Sequence, residues 1–181
     1  MRIISGIHKG YKFPERNMPH ARPTTDRAKE ALFNILEQRF YLDDIAVLDL
    51  YTGLGSIALE FASRGCEDIT SVDFNSKSVS YVLEIATKLE LPVKVKQAKV
   101  LKFLSQNTAQ FDIVFADPPY QAGKEIQELI NFIENNKVIK SGGLFILEHV
   151  SSLPIHNKAL VEQRKYGQST FSFFTFDQSN E

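Results

Sequence analysis

The chain has 181 residues, 43% of them apolar, which suits a single domain with a sizeable core. Charged residues make up 24% and the formal net charge is −1, so composition excludes a disordered, collagen-like or coiled-coil chain and does not by itself mark a nucleic-acid binder. No apolar run approaches the roughly 20 residues that span a bilayer, and the N-terminal run is too short for a secretory signal. The single cysteine, Cys66, excludes an internal disulfide framework and a multi-cysteine zinc site. The expected location is the cytoplasm, with no membrane association, where a free thiol stays reduced.

In chain order, residues 1–13 predict a short strand or hairpin punctuated by Gly6 and Gly10. Residues 14–23 carry three prolines and predict a loop. Thr24 or Thr25 caps a helix running to about Arg39, with Ala28, Ala31, Leu32, Ile35 and Leu36 on one face. Strands are expected at 46–50, 68–73, 93–97, 111–116 and 144–148, the last after a turn at Gly142-Gly143. Helices are expected at 56–63, 76–90, 100–106 and 124–135. Two final strands, 159–164 and 170–176, are joined by Tyr166-Gly167-Gln168 with no room for a helix, so they form a hairpin. Alternating units imply an α/β fold with a mostly parallel seven-stranded sheet, one strand of the C-terminal hairpin running antiparallel. The expected division is a basic N-terminal strand and loop extension, 1–23, followed by one domain, 24–181.

Charge is uneven along the chain. Residues 1–29 hold seven cations, Arg2, Lys9, Lys12, Arg16, Arg22, Arg27 and Lys29, against Glu15 and Asp26, a net of +5 that leaves −6 for the rest. A basic arm on an acidic body is one form of a nucleic-acid footprint.

In a parallel sheet, ligands bind beyond the carboxyl ends of the strands. After the first core strand comes Asp49-Leu50-Tyr51-Thr52-Gly53-Leu54-Gly55. Gly53 and Gly55 permit a tight turn and close approach of a ligand, and Asp73, at the end of the next strand, suits the hydroxyls of a ribose. Gly53-x-Gly55-x-x-Ala58 also satisfies a dinucleotide fingerprint, so a nicotinamide or flavin enzyme has to be weighed. Asp49 argues against it, because a carboxylate repels a pyrophosphate in a low-dielectric cleft. A ligand with an ammonium group and no phosphate fits better, and S-adenosylmethionine carries both an amine and a sulfonium.

The fourth core strand opens into Asp117-Pro118-Pro119-Tyr120. The exocyclic amine of a nucleobase is a poor nucleophile, because its lone pair is delocalised into the ring. The Asp117 carboxylate and the Pro118 carbonyl, held rigid by consecutive prolines, offer two acceptors for its N–H protons. Tyr120 offers a surface on which a base can stack.

These residues resemble the RsmD-type 16S ribosomal RNA guanine-N2 methyltransferases over nearly the whole chain. Arg2-Ile3-Ile4-Ser5-Gly6 with Lys9-Gly10, and Arg22-Pro23-Thr24-Thr25-Asp26-Arg27 through Leu36, are similar to that family's opening signatures. Val47–Leu50 with Gly53 and Gly55, Ser63-Arg64-Gly65, Asp117–Tyr120, Gly142–Leu144 through Glu148-His149, and Tyr166-Gly167-Gln168 match its later segments. The chain departs from the pattern at Thr52 and Leu54, at Asp73 where Glu is commoner, and at Lys99 where an acidic residue faces the adenine.

The resemblance implies a Rossmann-like class I S-adenosylmethionine-dependent methyltransferase. Asp49, Thr52, Gly53, Gly55, Asp73, Lys99, the Val100 amide and Thr25 would surround the cofactor. Asp117, Pro118, Pro119 and Tyr120 would place the guanine. Arg2, Lys9, Lys12, Arg22 and Arg27 would contact phosphates. It further implies a monomer acting on rRNA within a partly or fully assembled small subunit. Two alternatives stay open: a DNA adenine or cytosine amino-methyltransferase, and a non-catalytic RNA-binding assembly factor. A carbon-5 pyrimidine mechanism would need a nucleophilic cysteine, whereas Cys66 follows a helix-ending Arg64-Gly65. No metal is expected, since His8, His20, His149 and His156 lack ligand spacing.

Overall fold

The computed structural model describes residues 1–16, 24–119 and 123–176. Strands and helices alternate through α1 (Asp26–Glu37), β1 (Ala46–Leu50), α2 (Ser56–Ser63), β2 (Asp68–Asp73), α3 (Ser76–Lys88), β3 (Val93–Gln97), α4 (Val100–Gln106), β4 (Phe111–Ala116) and α5 (Gly123–Asn135). The chain ends in β5 (Ile139–Val150), β6 (Leu160–Tyr166) and β7 (Ser169–Phe174). The sheet order is β3-β2-β1-β4-β5-β7-β6. β1 to β5 are parallel, and β7 inserts antiparallel between β5 and β6. This is the class I methyltransferase arrangement expected from the sequence. The antiparallel seventh strand separates it from an all-parallel dinucleotide fold.

The helix begins as its cap residue dictates: Thr25 Oγ1 accepts from the Ala28 amide at 3.2 Å. Strand periodicity then sorts the core into two layers. Val47, Ile69, Ile113, Phe115 and Ile146 pack with Leu32, Phe33, Phe61 and Tyr81 of α1, α2 and α3 on one face. Leu48, Leu50, Val114, Phe145 and Leu147 pack with Ile126, Leu129 and Ile130 of α5 on the other. Asp49, Asp73 and Glu148 fall on the first face by the same period of two.

Three expectations are corrected. β5 begins at Ile139 rather than after Gly142-Gly143, because pairing with β4 continues across the glycines through a register shift between Phe111 and Ile113. Of the helical face read in the sequence, Ala31 and Ile35 are only half-buried, while Phe33 is buried. The basic arm is not all surface charge: Lys29 is 0% exposed. Its ammonium meets the Arg2 carbonyl at 2.6 Å, Ser56 Oγ at 3.2 Å and Glu60 Oε2 at 3.2 Å.

The N-terminal segment is a narrow antiparallel loop with a bridge between Arg2 and Lys12. Its Ile3 and Phe13 enter the core. Gly6 lies at φ +84°, and a β-carbon there would fall 1.8 Å from the Ser63 carbonyl oxygen. Gly6→Ala is therefore expected to lift the turn off α2 and break the Ile7-to-Ser63 backbone bond of 2.8 Å. Amide exchange checks it: the Ile7 and His8 amides should lose protection while β1 and β4 keep theirs.

Candidate active site

The carboxyl ends of the central strands finish level. Leu50 pairs with both Val72 and Ala116, and Ala116 pairs with Leu147. The residues that follow, Tyr51, Asp73, Asp117 and Glu148, thus stand side by side across four strands. The Asp117 amide donates to the Leu50 carbonyl at 3.4 Å, and the Thr52 amide to the Val72 carbonyl at 3.1 Å. The Asp-Pro-Pro turn and the glycine loop are therefore joined through one residue, Leu50. Asp117 is half-buried, Pro118 buried and Pro119 exposed.

Tyr51 is the pivot of the loop. Its φ of +58° is costly for a bulky side chain and carries the ring away from the face of Asp49 onto the α5 layer. There its hydroxyl donates to Glu125 Oε1 at 2.7 Å. Burial, then Glu125, pushes the Tyr51 phenol upward, so it is a fixed donor. Gly55, at φ +72°, completes the turn; a β-carbon on it would meet Val82 Cγ2 at 2.8 Å. A side chain there would displace α3 or the loop.

Asp49, 1% exposed, faces the inside of this loop. It accepts from Thr52 Oγ1 at 2.5 Å, and Thr52 Oγ1 accepts in turn from Ser71 Oγ at 2.6 Å. It also accepts from the Ala58 amide in the first turn of α2. Burial pushes the Asp49 carboxyl up to about 7; these hydrogen bonds pull against the rise and the Asp73 charge adds to it. Asp73 splits its two oxygens between the Gly53 amide at 2.9 Å and the Asn75 amide at 2.8 Å. Each oxygen keeps a second lone-pair direction for a ligand hydroxyl. Lys99 is exposed and precedes α4 without a side-chain cap bond, leaving Val100 as the first residue of that helix.

These residues fit an adenosyl ligand bearing an amino-acid tail. They offer a loop with no side chain at Gly53 or Gly55, a buried acid behind it, and a carboxylate one strand away with lone pairs suited to hydroxyls. Phe74, directly after Asp73, is 61% exposed although large and apolar. Sequence reasoning missed it; the available signal was an aromatic residue one place beyond a strand end. Ser71 was also missed, because an inward serine on a buried strand looks like any core position. The Tyr51–Glu125 bond has no sequence signal at all.

Among the expected phosphate contacts, Arg2 pairs with Asp26 at 3.1 Å at the start of α1, and Lys12 bridges to Arg2. Arg27 is exposed in the same first turn. All three lie beside the start of α1. Lys9 does not: its turn packs on Ser63 and on the Leu89 carbonyl, at the far ends of α2 and α3. Thr25 spends its hydroxyl on capping α1. Arg22 and Tyr120 lie outside the described residues.

The chain is similar to known proteins. The family described as conserved hypothetical protein 95 matches residues 1–175. The Escherichia coli K12 protein named ribosomal RNA small subunit methyltransferase D is 34% identical over 149 residues, covering 82% of this chain and 74% of that one. The Bacillus subtilis protein named putative rRNA methyltransferase YlbH is 32% identical over 157 residues, 82% of each chain. The solved structure of the putative methyltransferase yhhF from Escherichia coli superposes with a TM-score of 0.85 at 28% identity, covering 98% of both chains.

Proposed function

This chain belongs to the conserved hypothetical protein 95 family, the RsmD-type S-adenosylmethionine-dependent methyltransferases, and from that premise we propose that it methylates the exocyclic N2 of a guanine in 16S ribosomal RNA. The observation that carries the reading is the Asp117 amide bonded to Leu50, which sets the Asp-Pro-Pro turn against the glycine loop. The names of the curated relatives support a ribosomal RNA substrate.

When bound, the cofactor supplies a methyl group on a sulfonium centre. Asp73 would hold the ribose hydroxyls, and the exposed Phe74 ring would offer the adenine an apolar face. The Gly53–Gly55 backbone would admit the methionine tail, with Asp49 providing negative charge behind it. Asp117 and the Pro118 carbonyl accept the two N–H protons of the guanine amine, which localises the nitrogen lone pair. Those bonds strengthen as positive charge grows on nitrogen, and the Asp117 carboxylate receives the proton that is shed. Arg2, Lys12 and Arg27 meet phosphates at the mouth of the site.

A filter assay with labelled S-adenosylmethionine tests the reading. Label should enter 16S rRNA, either deproteinised or within small ribosomal subunits, and not DNA. Label in DNA would instead favour an adenine or cytosine amino-methyltransferase, and binding without transfer a non-catalytic assembly factor.

A pH dependence also follows. Because the folded-state value of Asp49 is raised, its stabilising contribution belongs to the protonated form and is lost as pH rises through about 7. The ionised form above that pH is the one that attracts a cation. Cofactor affinity is expected to rise about tenfold between pH 6 and 7.5. Calorimetry should show that rise in the parent and a flat profile in Asp49→Asn.

A further inference from the structure

Glu148 is a buried carboxylate that methyl transfer, as described above, leaves unused. It is 5% exposed, at the carboxyl end of β5 beside Asp117, in a layer where an aliphatic residue would fill the same space. Burying a carboxylate there costs free energy unless hydrogen bonds repay it. Two hydroxyls do so. Thr24 Oγ1, itself 7% exposed, donates to Glu148 Oε2 at 2.9 Å, and the Ser169 side chain at the start of β7 donates as well. Burial still pushes the carboxyl upward.

Thr24 stands two residues before Asp26, which pairs with Arg2, and three before the exposed Arg27. The Thr24–Glu148 bond is thus a buried tie between the start of α1, which carries these cations, and the strand next to the one that bears Asp117. Among the described residues, no other side-chain hydrogen bond of Thr24 competes with it.

We infer that Glu148 is a positioning residue: by holding Thr24 it sets the cationic start of α1 in register with the Asp117 strand end, so that RNA gripped by the first is delivered to the second. The inference rests on the rRNA reading above. Loss of the tie leaves the cofactor loop intact, because Asp49, Thr52, Gly53 and Asp73 make no bond to Thr24 or Glu148. It weakens the productive seating of RNA.

The test uses Glu148→Met, Thr24→Val and their double variant on small ribosomal subunits, with KM for RNA, kcat, cofactor Kd and melting temperature measured for each. Each single change should raise KM about tenfold, the scale of one hydrogen bond to a charged group. Cofactor Kd should stay within about twofold of the parent. The double variant should be no worse than either single, because both cut the same bond. Thr24→Ser should restore the parent KM. Unchanged KM in Thr24→Val, multiplying losses in the double variant, or cofactor affinity falling in step with KM would overturn the inference. If Glu148→Met does not fold, the Thr24 pair of variants decides alone. Absence of transfer by the parent protein overturns the rRNA reading and this inference with it; transfer by the parent with unaffected variants overturns this inference only.

Discussion

Asp117→Ala is expected to lower kcat for methyl transfer by about 10²–10³-fold, the scale for removing one preorganised partner of developing charge. Cofactor affinity should be nearly unchanged. The Asp117 backbone, not its carboxyl group, makes the bond to Leu50 that positions the loop, so alanine keeps that join. Asp117→Asn keeps an acceptor oxygen but loses the charge and the ability to take a proton, and should fall between parent and alanine. Single-turnover kinetics with saturating cofactor separates these effects from binding. A loss confined to KM, with kcat intact, would remove Asp117 from the chemical step.

The largest expected effect on stability belongs to Glu60→Ala. Glu60 is 0% exposed and accepts from the Ile4 amide at 2.8 Å, the Ser5 amide at 3.0 Å, Arg64 Nε at 2.8 Å and Lys29 Nζ at 3.2 Å. Alanine strands two backbone donors and leaves a buried ammonium without its counter-charge. Breaking a buried pair in this way costs about 3–5 kcal/mol. In a chain of this size that lowers the melting temperature by roughly 10–15 °C. Lys29→Met should cost less, because Glu60 then still holds Arg64 and both amides, and the methionine fills the apolar space around Phe13. Burial already lowers the Lys29 pKa, with Glu60 opposing that shift. Thermal melts of both variants check the order; Lys29→Met more damaging than Glu60→Ala would contradict it.

The sheet and its helices are legible in the sequence because mostly apolar runs such as Val47–Leu50 and Phe111–Ala116 are each followed by a turn residue and then a capped or amphipathic helix. The site is legible for a related reason. In such a sheet chemistry gathers around the carboxyl ends of the strands, and Asp49, Asp73 and Asp117 sit within, at and just beyond those ends. What stays hidden depends on pairs far apart in the chain. A lysine between Ala28 and Glu30 on an amphipathic helix looks solvated, and only the docking of α2 makes Lys29 a buried partner of Glu60. Glu148 looks like one more strand-end acid until Thr24 is seen to close over it. The full span of β5 is obscured because Gly142-Gly143 reads as a turn, while in the fold the strand passes through it by a shift of register. Lys9 and Arg2 share one basic segment in sequence, yet the loop between them carries Lys9 to the far ends of α2 and α3 and leaves Arg2 beside the start of α1.

The most direct measurement is the chemical identity of the methylated product. After reaction with the parent protein, 16S rRNA is digested to nucleosides and the modified one identified by mass spectrometry against standards. A carboxylate and a carbonyl arranged around an exocyclic amine predict N2-methylguanosine, absent when Asp117→Ala replaces the parent. A methyl group on a ring carbon, a ring nitrogen or a ribose oxygen would contradict that chemistry.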